Sequence, residues 1–118
     1  MTESEIRLLG IIRERLGAGR FDNAIVYLAL EPLRAGASVD VGDVRLDAPR
    51  DSLVAFVDLE PGVNWGHACS YFLVDLESAE VCEVGARMPP FLKHDGPAFR
   101  LLHRGPLAPK WAVASGVE

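Results

Sequence analysis

Phe56-Val-Asp-Leu-Glu-Pro-Gly-Val-Asn-Trp-Gly-His-Ala-Cys-Ser-Tyr71 joins the end of one strand-like run to the start of the next through a turn. Upstream, Ser52-Leu-Val-Ala-Phe-Val-Asp58 is rich in β-formers and almost wholly apolar. Both faces of that strand should be covered, which makes it central in a sheet. Glu60-Pro-Gly62 is a turn signature, because proline presets φ and glycine accepts a positive one. Gly66 to Asp75 reads as a second strand, with Cys69, Tyr71 and Leu73 on one face and Phe72 and Val74 on the other. Leu76-Glu-Ser-Ala79 is a hairpin loop, and Glu80-Val-Cys-Glu-Val84 returns as a third strand. Consecutive strands with short connections tend to pair, so these three form an antiparallel meander.

On the N-terminal side, Thr2-Glu-Ser-Glu5 has the form of a capping box, with the hydroxyl and the carboxylate each satisfying a backbone donor of the other. Ile6, Leu9, Ile12 and Leu16 recur at steps of three and four, and Leu8 widens that face, so residues 4–16 are expected to be helical. Gly17 and Gly19 supply a stop. Asp22 is a plausible N-cap for a second helix over the apolar run Ala24 to Leu30, which Pro32 must end. A buried strand is the other reading of that run, since periodicity does not decide a short apolar stretch. Gly42-Asp43 between Val39, Val41, Val44 and Leu46 suggests a short hairpin at a sheet edge. After Met88-Pro-Pro90 the pattern weakens. Prolines 97, 106 and 109 break any long element, yet Phe91, Phe99, Leu101, Leu102, Leu107 and Trp111 are too apolar for a free linker. The expected organisation is one α+β domain over residues 1–90, with N-terminal helix or helices packed on the antiparallel meander. An irregular C-terminal segment over 91–118 would lie on the body or on a partner.

The chain has 118 residues, 49% of them apolar, enough to bury a core without metal or disulfide staples. Its net charge of −5 is uneven: residues 51–90 carry one basic and seven acidic side chains, or −6. That is a poor surface for a phosphate backbone, so nucleic acid is not expected as a partner. No apolar run approaches the roughly 20 residues of a membrane span. Two cysteines are too few for a secreted disulfide framework, and a cytoplasmic setting is expected.

If the hairpin turns at Glu77-Ser78, Leu73 faces Cys82 and Cys69 faces Ala86. The sulfurs are then about 13 Å apart along the ladder, too far for a disulfide. His67 and Cys69 should share a face with Asp58 on the adjoining strand, the ingredients of a thiol nucleophile. Neighbours at i and i+2 point side by side, however, which suits proton transfer badly. His67, Cys69 and His94 or His103 do not match the paired ligand spacing of zinc sites, so no metal and no cofactor is expected. Gly17-x-Gly19 follows a helix instead of a strand and fails as a phosphate cradle. Glu77, Glu80 and Glu83 read as a solvated strand edge. Asn64, Trp65, His67 and Tyr71 remain. As structure they would pin a loop; as a site they would form a peptide-binding surface, because Trp and Tyr are large anchors at low entropy cost.

Phe56-Val-Asp-Leu-Glu-Pro61 with Asn64-Trp-Gly-His67, Cys69 and Tyr71 resembles a pattern in small bacterial accessory proteins of ribosomal-peptide natural-product pathways, the crocagin pathway in particular. The resemblance covers about sixteen residues and carries no catalytic signature. It implies a module that binds a precursor peptide and presents it to modifying enzymes. The chain is also similar, more loosely, to the inhibitory propeptides of bacterial proteases. The expectation is therefore a non-enzymatic peptide- or protein-binding module that can form homo- or hetero-oligomers. An extended peptide would add to a sheet edge, with Trp65 and Tyr71 as anchors and Asn64 and His67 as polar contacts. The alternative is a small cysteine-dependent hydrolase or transferase at Cys69.

Overall fold

The computed structural model describes residues 1–92 and 96–117. Helix α1 spans Glu3–Leu16 and opens with the full capping box, Glu5 N–H to Thr2 Oγ1 at 3.1 Å and Thr2 N–H to Glu5 Oε1 at 3.1 Å. Its buried face is Leu8, Leu9, Ile12 and Leu16. Leu8, expected only to widen the face, is at its centre, whereas Ile6 stays exposed. Gly17, at φ 84°, ends α1 and starts a single further turn, α2, over Ala18–Asp22.

The second long helix expected over 24–30 is absent. Ile25–Ala29 is strand β1, buried at every position. The all-apolar run that suggested a deeply buried helix is the signature of a strand covered on both faces. Asp22, expected as an N-cap, is instead the last residue of α2. The hairpin follows as β2 (Ser38–Val41) and β3 (Val44–Asp47), turning at Gly42-Asp43 and forming its own two-stranded sheet. Strands β4 (Leu53–Asp58), β5 (Cys69–Asp75) and β6 (Glu80–Ala86) make the meander. Its register pairs Leu73 with Cys82 and Cys69 with Ala86, as the hairpin loop requires, and both cysteines are free. Among the described residues from 90 onward, the chain forms one strand, β7, over Phe99–Arg104 and two 3₁₀ turns, Pro90–Leu92 and Lys110–Ala112. Strand β7 pairs antiparallel with β1, and the register slips between Val26 and Tyr27 so that Leu102 bulges.

The five-stranded sheet runs β6-β5-β4-β1-β7, antiparallel throughout. Strand alternation splits its side chains between two cores. On one face Val26, Leu28, Ala55, Val57, Phe72 and Val74 meet the helical residues Leu8, Leu9, Ile12, Leu16 and Phe21. On the other, Ile25, Tyr27, Val54, Phe56, Tyr71 and Leu73 meet Val41 and Leu46 of the hairpin and Phe91, Ala108 and Ala112 of the C-terminal segment. That segment is stitched down by Gly105 N–H to the Ala24 carbonyl at 2.8 Å, Leu107 N–H to the Asp22 carbonyl at 2.9 Å and Ala114 N–H to Tyr27 Oη at 3.1 Å. Helices, sheet, and a composite layer of hairpin plus C-terminal strap thus form three layers. No helix among the described residues is long and apolar enough to cross a membrane.

Candidate functional site

The β4–β5 connection, residues 59–68, is fastened by its own polar groups. Asp58, the last residue of β4, accepts the Glu60 N–H through Oδ1 at 3.1 Å, a side-chain turn that starts the loop. Glu60 Oε1 accepts the Ala68 N–H at 2.9 Å and so ties the loop's two ends together. The Arg87 guanidinium donates to the Gly66 carbonyl through Nε at 2.9 Å, and Gly66 N–H donates to the Arg87 carbonyl at 3.2 Å. Gly62 and Gly66 hold φ of 90° and 99°, values that an L side chain rarely adopts.

His67 is buried at the centre of this loop. Its Nδ1 lies 3.0 Å from the Asn64 carbonyl and its Nε2 lies 2.7 Å from Asp58 Oδ1. A carbonyl can only accept, so Nδ1 carries a proton and donates it. One further proton lies between Nε2 and Asp58, giving either imidazolium with carboxylate or imidazole with carboxylic acid. Burial pushes the Asp58 carboxyl above its ordinary value, and the His67 hydrogen bond and the Glu60 N–H oppose that rise. In either state no lone pair of the ring faces a substrate. The pair therefore lacks the free nitrogen of a general base and works as a clamp on the loop. Trp65 stacks on His67, ring centroids 4.2 Å apart and planes at 18°, and reaches Phe56 of the core at 6.0 Å.

Cys69 pairs with Asp58 across β4 and β5, so the three residues expected on one face do come together. The thiol is buried and donates weakly to the Met88 carbonyl at 3.7 Å. Burial first, then the carboxylates of Asp43 and Asp58, push its pKa up to about 12. A nucleophilic cysteine needs the opposite environment. Tyr71 requires a correction. It is 0% exposed, with its hydroxyl on the Met88 carbonyl at 3.0 Å and its ring against Phe56 at 5.0 Å, so it is a core residue and not a surface anchor. His67, 4% exposed and bonded through both nitrogens, is likewise no polar contact for a ligand. Edge docking at this loop meets a second obstacle. β4 and β5 are interior strands, and the sheet edges belong to β6 and β7. His103 stacks on Phe21 at 4.9 Å, on the helix side of the sheet and away from His67. His94 lies outside the described residues. Among the described residues no group of three or more His, Cys, Asp or Glu could hold a metal ion.

What the loop does build is a cleft of about 230 Å³ lined by Asp58, Gly62, Val63, Asn64, Trp65, Trp111 and Ala112. Trp111 comes from the 3₁₀ turn Lys110–Ala112 of the strap and lies over Gly62, where an added Cβ would come within 2.8 Å of its Cη2. Trp65 is 39% exposed and Trp111 76%. Of the residues singled out from sequence, Asn64 and Trp65 line this cleft; Trp111, which also lines it, was not among the expected binding residues. The available signal was a second tryptophan in a segment with too few regular elements to bury it. A larger cleft of about 320 Å³ beside β6 is lined by Pro49, Arg50, Leu73, Val81 and Cys82. Its charged rim is already satisfied by the Arg50–Glu80 ion pair at 2.6 Å. Compared with protein-family models, curated proteins and solved structures, the chain gives no significant match.

Proposed function

We propose that this chain is a non-catalytic binding module for a peptide or an exposed segment of a protein, held at the cleft between Trp65 and Trp111. The observation that carries this reading is two indoles left open on one cleft beside an aromatic core. Covering an exposed ring of this size with apolar contact is worth on the order of 2 kcal/mol, and tryptophan leads the residue types that dominate interfaces. The clamp of Asp58, His67, Glu60 and Arg87 supports it, because a rigid loop loses little entropy when a ligand docks. The resemblance to accessory proteins of ribosomal-peptide pathways would make the partner a precursor peptide. A cytoplasmic setting belongs to the same proposal. The buried, protonated thiol of Cys69 speaks against the cysteine-enzyme alternative.

The test is selection from a random peptide library on the immobilised chain, followed by calorimetry of the enriched peptides with wild type and with the Trp65→Ala/Trp111→Ala variant. Enriched peptides should bind the folded variant at least about tenfold more weakly, the size expected from losing one anchor contact. Peptides that bind both proteins equally would place the binding surface elsewhere.

A further inference from the structure

We infer that the Trp65–Trp111 cleft takes a cationic side chain, the ammonium of lysine or the guanidinium of arginine, from its peptide or protein partner. This rests on the reading of the cleft as a side-chain site and adds the chemistry of what enters it. Two features of the cleft support a cation.

The first is the wall. Indole faces carry negative electrostatic potential and attract cations more strongly than other aromatic side chains do. Two indoles line this one cleft, at 39% and 76% exposure. The second is the carboxyl group of Asp58. It lines the cleft and is the only ionisable group among the described residues that does. Its Oδ1 takes both the His67 Nε2 and the Glu60 N–H, and Oδ2 takes neither. A donor arriving in the cleft therefore meets an acceptor without displacing the clamp. The Asn64 amide in the same lining adds a further polar contact for an N–H donor. An anionic group would meet the acceptor oxygen Oδ2, and a purely apolar one would leave it desolvated.

A set of three acetylated and amidated glycine pentapeptides tests the chemistry, with lysine, arginine or norleucine at the centre. Norleucine keeps the aliphatic chain of lysine and ends in a methyl. The readout is the pair of indole N–H signals in proton–nitrogen correlation spectra of the intact chain, titrated to tens of millimolar peptide so that weak binding registers. The lysine and arginine peptides should shift both signals in a saturable way, and the norleucine peptide should bind about tenfold more weakly or not at all. Trp111→Ala removes a surface ring and leaves the core intact, and it should weaken the cationic peptides by a similar factor. Equal binding of the norleucine peptide would overturn the cation and leave an apolar anchor site, in which case the binding-module reading stands. No saturable shift with any of the three would overturn the cation, and with it the cleft as a side-chain site.

Discussion

On the helix-covered face of the sheet, Leu8, Ile12, Leu16 and Phe21 meet Val26, Val57, Phe72 and Val74. The buried polar residue of that face, Ser70, is bonded to Glu83, which also pairs with Arg15 of α1 at 3.7 Å. The opposite face is covered by three pieces of chain that are remote from one another: the β2–β3 hairpin, the loop over 59–68 and the strap after β7. There the aromatic rings Tyr27, Phe56, Tyr71 and Phe91 form one contact network, and the Asp58–His67 pair is buried beside it. The helix-covered face is closed by α1 with the turn α2 and keeps an opening of about 280 Å³ between Ser4, Leu53, Val74 and Leu76. Pieces brought from different parts of the chain leave seams, and the cleft between Trp65 and Trp111 is such a seam.

The sharpest way to break that contrast is through the thiols. Cys69 lies under the composite layer with its pKa pushed up to about 12, whereas Cys82 is exposed on β6. At about pH 8 the thiolate fraction of Cys69 is about a thousandfold below that of an ordinary thiol of pKa near 8.5. Iodoacetamide should therefore add once to the folded chain, at Cys82, and twice in urea, read by peptide mass spectrometry. Equal labelling of both in the folded chain would mean that the composite layer opens freely.

Next in size is removal of a core ring. Phe56 touches Tyr27, Trp65, Tyr71 and Phe91, and Phe56→Ala should cost about 3–5 kcal/mol in urea unfolding. Ile12→Ala on the helix face should cost about 2–5 kcal/mol. Of the two, only Phe56→Ala should shift tryptophan emission of the native state, because Phe56 touches Trp65 and Ile12 lies on the other face. A matching shift from Ile12→Ala would merge the two faces into one cooperative packing unit. The smallest effects concern the polar fastenings. His67→Phe strips the Asp58 carboxyl and the Asn64 carbonyl of their partner and should cost about 1–3 kcal/mol. Thr2→Ala removes the capping box of α1 at about 1 kcal/mol. If thermal unfolding ranks them the other way, the clamp does not fasten the loop.

Legibility from sequence followed the same division. The capping box, the helix face and the β4–β5–β6 register were readable because each depends on neighbours within a few residues or on one short hairpin loop. β1 was misread because Ala24 to Leu30 has no period; only the strands on both its sides decide that it is extended. β7 was hidden by Arg100, His103 and Arg104, polar side chains that an edge strand beside a bulge tolerates. Asp58 and His67 could be placed on one face from alternation. That both ring nitrogens are engaged depends on the loop's backbone returning the Asn64 carbonyl to the ring, which no spacing rule reports. Tyr71 illustrates the limit of composition as a guide: an aromatic residue next to a loop is a hot-spot candidate by type and a core residue by strand parity.

The sheet order also sets a timetable. β1 lies between β4 and β7, and Ile25 pairs with Arg104 near the far end of the chain. During synthesis β1 emerges early, and its second neighbour emerges only after the whole meander. Contacts so distant in sequence close slowly, because the loop entropy must be met before the pairing returns anything. Until Phe99–Arg104 arrive, one side of the most buried strand in the protein presents unpaired N–H and C=O groups, the surface on which sheets aggregate. A nascent chain of this topology therefore depends on shielding of β1 for as long as the C-terminal third is missing.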